Sequence, residues 1–217
     1  NPARLTNMAN ATSGILNGTL DSVDKASLPT WVKGRWPQTT ALSFDRTDMQ
    51  YVEIPGNPAI SINGPITIAV WVDCSGAKDG GHIVSNRVGA RSLCNYQFGY
   101  RSPVMSGWKQ GMHLARKAKP SDAENQMCSK ALPATVGWTL LAVTHDNDTL
   151  KFYFNGRLVE TRNWPHQQEL TEGGLLIGSD FSPDDPSRFN GKIGEIVIAK
   201  RIFTEKEISE MYEAGKP

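Results

Sequence analysis

Cysteine is scarce in this sequence, and long apolar runs are missing. The three cysteines, Cys74, Cys94 and Cys128, show no CxxC spacing and no accompanying histidine cluster, which argues against a zinc site. At most one internal disulfide can form, and the sequence leaves open which pair, if any, forms it. A membrane-spanning helix needs about 20 consecutive apolar residues. Because no such run occurs, we expect no membrane insertion.

An excess of charge of one sign is also missing. The 23 basic and 22 acidic residues leave a formal net charge of +1. Nucleic-acid-binding domains usually carry a basic face, and so do proteins that bind anionic membranes. We therefore expect no nucleic-acid partner. The sequence starts at Asn1 without a charged and then apolar leader, which favours a chain trimmed from a secreted, cell-surface or periplasmic protein.

Local signatures of catalysis are lacking as well. Retaining glycosidases place two carboxylates about 5 Å apart, and no Glu-x-Asp-x-x-Glu arrangement occurs. Asp146 and Asp148 alternate, but they lie in a segment that is expected to turn, where Asx residues serve the backbone. His113 with Arg116 resembles part of a lyase site, although the spacing is not distinctive. The sequence thus predicts a protein that is not an enzyme.

Short strands dominate what is present. From residue 41 onward, apolar and polar residues alternate in short runs that end at Gly, Pro, Asn or Asp. The run 138–144 is apolar on both faces and predicts a central strand. Asn155-Gly156 predicts a type I′ hairpin turn, because both residues tolerate positive φ.

A single helix is indicated near the C-terminus. Thr204 and Glu207 have the spacing of a capping box, and Ile208, Met211 and Tyr212 follow as an apolar stripe. No βαβ alternation and no internal repeat is visible. The pattern therefore predicts an all-β protein, an antiparallel β-sandwich of the jelly-roll type with one short C-terminal helix.

The order of these segments resembles laminin G-like, concanavalin A-like jelly-roll domains, to which pentraxins are related. The runs that carry the resemblance are 41–45, 51–54, 66–72, 138–144, 150–156, 177–178 and 189–196, with the lead-in 29–36 and the helix 203–212. The resemblance implies one domain over residues 1–217, with residues 1–40 as a lead-in segment that packs on the sandwich, and two sheets, one of them concave. Such domains serve as carbohydrate-binding modules, lectins, adhesion modules, glycosidases or lyases, so the fold alone assigns no function.

Calcium is the cofactor that this resemblance suggests. Pentraxins bind it through acidic and amide residues just after an Ile-Leu-Gly-like strand, where this chain has Asp180, Asp184 and Asp185. Carboxylate oxygens are ligands that calcium takes, although Phe181 interrupts the row. A second calcium position of such domains, an Asp in an Ile-Asp-Glu strand, is occupied here by Gly194. The alternative for the three aspartates is a solvated loop tip.

Binding of a sugar requires an aromatic ring and a few planar polar groups. Trp108 and Trp164 lie in polar runs, and each is either a lid over the core or a platform for a ligand. The polar contacts that we expect around them are Tyr100, Arg101, Arg162, Asn163 and His166. Guanidinium groups also bind carboxylate or sulfate. We therefore predict a carbohydrate-binding or lectin-like module of an extracellular multidomain protein, with a polysaccharide or glycan ligand. A protein-interaction or adhesion module, and a lyase or glycoside hydrolase of this fold, are the alternatives.

A glycan array, run with calcium and again with EDTA, tests the ligand and the cofactor together. We expect binding to a polysaccharide. If Asp180, Asp184 and Asp185 hold a calcium ion that orders the site, EDTA will abolish that binding. Binding that survives EDTA would contradict the calcium prediction alone, whereas a failure to bind any glycan would favour a protein partner.

Overall fold

Two antiparallel sheets and one C-terminal helix make up the structure, a computed structural model that describes residues 4–5, 17–23, 27–75, 80–88, 93–101, 111–117, 125–127, 132, 135–166, 168, 173–180 and 187–217. The strands are β1 Arg4–Leu5, β2 Gly18–Ser22, β3 Thr30–Lys33, β4 Thr40–Phe44, β5 Gln50–Ile54, β6 Ile66–Asp73, β7 Gly80–Val88, β8 Leu93–Arg101, β9 Gly111–Lys117, β10 Asn125–Met127, β11 Trp138–His145, β12 Thr149–Phe154, β13 Arg157–Asn163, β14 Leu175–Ile177 and β15 Gly191–Ala199, and the helix is α1 Glu205–Gly215.

The strands form one sheet of eight and one of seven. The eight-stranded sheet has the order β1-β2-β5-β14-β7-β8-β9-β10, and the seven-stranded sheet has the order β13-β12-β11-β6-β15-β4-β3. Several strands that follow each other in the chain also pair in a sheet. β5, β6 and β14 instead pair with strands that are distant in the chain, as in a jelly roll. The predicted all-β sandwich with one C-terminal helix is confirmed.

Burial along the strands follows from their positions in the sheets. The predicted central strand, β11, lies between β12 and β6, and seven of its eight residues are buried. In β6, Ile68 and Val70 enter the core between the sheets, whereas Ala69 and Trp71 belong to a second apolar cluster on the outer face of the seven-stranded sheet. Because both faces of such a strand are buried, its sequence is a nearly continuous apolar run instead of an alternation.

Helix α1 covers that second cluster. The ring of Tyr212 stacks on Trp71 with 5.9 Å between ring centroids. The predicted capping box is present, because Thr204 accepts from the amide of Glu207 while the Glu207 carboxylate accepts from the amide of Thr204. In the described part of the chain, no helix is long and apolar enough to cross a membrane.

The described parts of the lead-in segment contribute strands to both sheets. β1 and β2 extend the eight-stranded sheet, and β3 forms an edge of the seven-stranded sheet. Arg35 then anchors the segment, since its guanidinium lies 4.1 Å from the ring centroid of Trp71 and 4.5 Å from that of Trp36. Cys74 and Cys94 are buried and form no disulfide with each other; Cys128 lies outside the described residues.

Removal of the cap tests the helix. We expect Thr204→Ala to lower the free energy of unfolding by about 1 kcal/mol, because the Glu207 amide loses its acceptor. Urea denaturation measures the change. Thr204→Ser keeps the hydroxyl and should stay close to the parent protein, so equal losses in both variants would contradict this role of the cap.

Candidate functional site

The outer face of the eight-stranded sheet carries a row of buried polar side chains. Val84 and Phe98 are partners in register and belong to the core, so the next pair in register, Ser85 and Gln97, points to the outer face. The side chains that this alternation and their contacts place on the outer face of β7, β8 and β9, called the polar row below, are His82, Ser85, Arg87, Gln97, Arg101 and His113. Each of them is at most 5% exposed.

Hydrogen bonds connect one half of the polar row. Arg87 donates from Nη2 to Oε1 of Gln97 at 3.4 Å, and Gln97 donates from Nε2 to the hydroxyl of Ser85 at 3.4 Å. Arg87 also contacts the thiol of Cys94, whose pKa is raised to about 11 by burial and lowered in part by this guanidinium. The cysteine is therefore an uncharged neighbour of the row.

Two imidazole rings form the other half. His82 and His113 lie on either side of Gly99 in the pairing register, and their ring centroids are 5.4 Å apart in an edge-to-face arrangement. A Cβ atom at Gly99 would collide with the ring of His113. A glycine is needed at this position because any side chain would occupy the space that the imidazole fills.

The two outer faces of the sandwich differ in chemistry. The outer face of the seven-stranded sheet is apolar at Trp71, Leu140 and Tyr153, and helix α1 covers it. In contrast, β7, β8 and β9 contain arginine, lysine and histidine but no aspartate or glutamate. Burial of polar groups costs free energy unless they are hydrogen-bonded, so a whole row of them on one face is a feature beyond what folding requires.

Arg101 is the residue predicted from the sequence that belongs to the polar row. Its neighbour Tyr100 is 1% exposed and lies in the core between the sheets. The sequence analysis assigned both to one site, which a strand does not allow, because successive side chains point to opposite faces. Tyr100 therefore faces the core and is not part of the polar row. Trp108 lies outside the described residues.

Trp164 is packed as a lid. The residue is 8% exposed, and its ring stacks against His145 and against His166, with centroid distances of 4.7 and 5.2 Å. Of the two alternatives for Trp164, the geometry favours the lid, since the residue is buried and two imidazole rings pack on its indole. The outer surface of this stack is His166, which is half-buried.

A buried arginine holds the lid in place. Arg116 is fully buried and donates to the carbonyl oxygens of Ile62, Gly64 and Asn95, at 2.9 to 3.2 Å. It also lies 3.1 Å from Nδ1 of His145, whose Nε2 is 3.0 Å from the carbonyl oxygen of Trp164.

Burial governs the charge of both partners in this contact. Burial lowers the pKa of Arg116 to about 10, which leaves the guanidinium charged near neutral pH. Burial and the charge of Arg116 lower the pKa of His145 to about 4, although its hydrogen bond to Trp164 opposes the shift. Near neutral pH, the imidazole of His145 is therefore neutral and the guanidinium of Arg116 is charged.

Three further predicted residues lie at this end of the sandwich. Arg162 is half-buried and donates from Nε to the carboxylate of Glu160, while Asn163 is exposed. His166 Nε2 lies 3.1 Å from Oε1 of Gln168, and Gln168 Nε2 donates to the carbonyl oxygen of Lys117 at 3.4 Å.

Lys117 connects this end to the polar row. It is the last residue of β9 and pairs in register with Cys94, which in turn pairs with Arg87. His166 is thus linked to the Arg87 end of the row through Gln168 and Lys117. Arg162 pairs in register with Leu150 of the core, so the next residue, Asn163, points to the outer face of the seven-stranded sheet, away from the row.

Sequence reasoning missed most of the polar row. His82, Ser85, Arg87 and Gln97 were not among the site residues predicted from the sequence. Their signal was the run of polar residues at alternate positions in three consecutive strands. Bulges in β7 and β8 shift the alternation, so the polar residues can be assigned to one face only when the strand register is known.

The calcium prediction is not tested by this arrangement. Asp180 is half-buried, and Asp184 and Asp185 lie outside the described residues. Among the residues that are described, no group of three or more His, Cys, Asp or Glu side chains could hold a metal ion. At the second expected position, a Cβ atom on Gly194 would lie 3.3 Å from the ring of Trp138, in a direction filled by an apolar ring.

Comparison with known proteins assigns the family. Residues 46–209 match the laminin G-like model of the concanavalin A-like lectin/glucanases superfamily, so the chain belongs to this superfamily and the suspected resemblance is confirmed. A comparison with curated proteins found no match.

Solved structures share the fold at low sequence identity. Domain 4 of AbnA, a GH43 extracellular arabinanase from Geobacillus stearothermophilus in complex with arabinotriose, is 18% identical with a TM-score of 0.68, and the match covers 97% of both chains. The binding domain of Paraclostridial Mosquitocidal Protein 1 is 12% identical with a TM-score of 0.69, over 96% of this chain and 49% of that one. The botulinum neurotoxin D/C binding domain is 14% identical with a TM-score of 0.65, over 98% and 51%. The chain thus spans about half the length of these toxin domains.

The lowered pKa of His145 predicts a pH-dependent stability. Between its unfolded pKa of about 6.5 and its folded pKa of about 4, the unfolded chain binds more protons, so stability falls as the pH falls through this window. We expect His145→Gln, which cannot gain the proton, to show a smaller loss. Denaturant titrations at a series of pH values measure both slopes, and equal slopes would contradict the role of this histidine.

Proposed function

We propose that this chain is a non-catalytic, lectin-like carbohydrate-binding module of an extracellular multidomain protein, secreted or held at a cell surface or in the periplasm. The observation that carries the proposal is the polar row on the outer face of the eight-stranded sheet. Its guanidinium, amide, hydroxyl and imidazole groups are the donors and acceptors that sugar hydroxyls require.

The dimensions of the row suit an extended chain. β9 has seven residues, which span roughly 20 Å at about 3.3 Å per residue. Arg101 lies at one end of the row and Arg87 at the other. An oligosaccharide that runs parallel to the strands matches the whole length of the row, whereas a single sugar matches only part of it. Because the row is buried, contact beyond its end requires the groups that cover it to move aside.

The row is most accessible at its Arg87 end. Lys117 and His166 are half-buried there, whereas the row itself is buried. The ligand would therefore first meet Lys117 and His166, whose imidazole stacks on the Trp164 ring. In this site Trp164 packs against His166 and does not stack on the sugar. Trp108 stays a predicted stacking platform for a sugar ring.

The compared structures support a glycan as the ligand class. Two of these proteins interact with a saccharide or a glycolipid: the arabinanase domain is in complex with arabinotriose, and cell entry of botulinum neurotoxin type C depends on two ganglioside molecules. The DC neurotoxin binding domain, in contrast, is in complex with a protein, rat synaptotagmin II. A protein-interaction module is therefore the competing function, and calcium at Asp180, Asp184 and Asp185 stays a prediction for either.

Substitution at the Arg87 end of the row tests the proposal. We expect the parent chain to bind a polysaccharide on a glycan array, and the variant His166→Ala to bind it at least about tenfold more weakly by calorimetry, about 1.4 kcal/mol. Lys206→Ala is the matched control, because Lys206 is an exposed charged residue on helix α1, which packs on the opposite outer face.

A substitution at a buried residue of the polar row tests the row itself. Gln97→Leu removes the amide that joins Arg87 to Ser85 at similar volume, and thermal unfolding controls for a loss of structure. If both variants fold and keep the parent affinity, the ligand lies elsewhere. If the parent binds no glycan but retains a protein from the same source tissue or culture, the protein-interaction function replaces this one.

A further inference from the structure

A pocket of about 610 Å³ opens between the two sheets, well separated in chemistry from the polar row. It lies where β4 and β15 of the seven-stranded sheet face β5 and β14 of the eight-stranded sheet. This inter-sheet pocket is lined mainly by aliphatic side chains, among them Leu42, Ile54, Ile60, Ile177, Ile196 and Ile198. Its volume falls in the range of about 300–1,000 Å³ that is typical of small-molecule sites.

The pairing of β15 explains why a pocket exists here. β15 pairs with β4 only over Gly191–Ile193, whereas it pairs with β6 as far as Ala199. A register shift between Ile193 and Ile196 marks a bulge, and bulges bend a strand away from its neighbour. β4 itself begins at Thr40, which the register places opposite Glu195, so the rest of β15 has no β4 residue beside it. The core between the sheets is reached through this gap.

Apolar surface remains uncovered at this gap. Ile54, Ile196 and Ile198 pack against the main core but are only partly buried, and all three line the pocket. Trp31, on the edge strand β3, also lines it and is 41% exposed. Covering apolar surface is favourable by roughly 25 cal/mol per Å², so an apolar ligand gains free energy by filling this space.

The charges at the pocket favour an anionic head group. Glu195 lines the pocket, but its carboxylate is already paired with Arg35 at 3.1 Å. Lys200 also lines it, and its ammonium donates to a neutral acceptor, the carbonyl oxygen of Pro58, at 3.1 Å. Because its acceptor here is a neutral carbonyl, the Lys200 ammonium can still pair with a carboxylate.

We propose that the inter-sheet pocket binds an aliphatic carboxylate, a free fatty acid, with its alkyl chain between the sheets and its carboxylate at Lys200. Ile54, Ile196 and Ile198 contact the chain, and the ring of Trp31 covers it at the edge of the seven-stranded sheet. This site is independent of the proposed carbohydrate site, because it uses the inner faces of the sheets and the polar row uses an outer face.

A chain-length series tests the pocket directly. Protein stripped of lipid is titrated by calorimetry with octanoate, dodecanoate and hexadecanoate below their micelle concentrations. We expect saturable binding of one equivalent that tightens with chain length. A dodecanoate with bromine on its terminal carbon should quench part of the tryptophan fluorescence, and Trp31→Phe should remove that part of the quenching.

Two variants locate the chain and the head group. Ile196→Trp fills the pocket and should weaken dodecanoate binding at least tenfold, whereas Leu158→Trp, at an exposed aliphatic residue on the opposite edge strand β13, should leave binding unchanged. Lys200→Gln should weaken dodecanoate but not dodecanol, which lacks the charge. If Ile196→Trp does not fold, Ile198→Phe replaces it.

Three results would overturn the proposal. They are the absence of saturable binding at every chain length, equal weakening by Ile196→Trp and Leu158→Trp, and quenching that persists fully in Trp31→Phe. If Lys200→Gln weakens both ligands equally, the assignment of the carboxylate to Lys200 is wrong.

Discussion

The alternation of side chains along a strand is the constraint on which this structure depends. Once residues such as Val84 and Phe98 enter the shared core, their neighbours Ser85 and Gln97 must face outward. Each sheet therefore has an outer face in addition to the face that lines the core. The outer face of the seven-stranded sheet is apolar and is covered by helix α1, whereas the outer face of the eight-stranded sheet carries polar groups over β7, β8 and β9.

A buried guanidinium organises the end of the sandwich beside this polar face. Arg116 bonds to the carbonyl oxygens of two segments that precede it and contacts His145 on the other sheet. His145 then positions Trp164, and Trp164 supports His166. The partners of Arg116 in these contacts are neutral carbonyl and imidazole groups, which stabilise its charge by their orientation, while burial lowers its pKa.

The sandwich thus has two regions of different chemistry. The polar row carries the proposed carbohydrate site, and the gap where β15 leaves β4 exposes the apolar interior. Both arise from departures from regular pairing: the bulges of β7 and β8 re-aim side chains on the outer face, and the bulge of β15 opens the core. Members of one superfamily can therefore bind different ligands without a change of architecture.

Local chemistry was readable from the sequence, whereas the sites needed the register. The capping box at Thr204, the Asn155-Gly156 turn, with φ values of 48° and 76°, and the central position of β11 follow from residue types and periods, and all three are present. The predicted Tyr100–Arg101 pair divides between core and outer face, and Trp164 is covered by two histidines that are distant from each other in the chain. Such contacts join residues far apart in sequence, and only tertiary packing decides which of them meet.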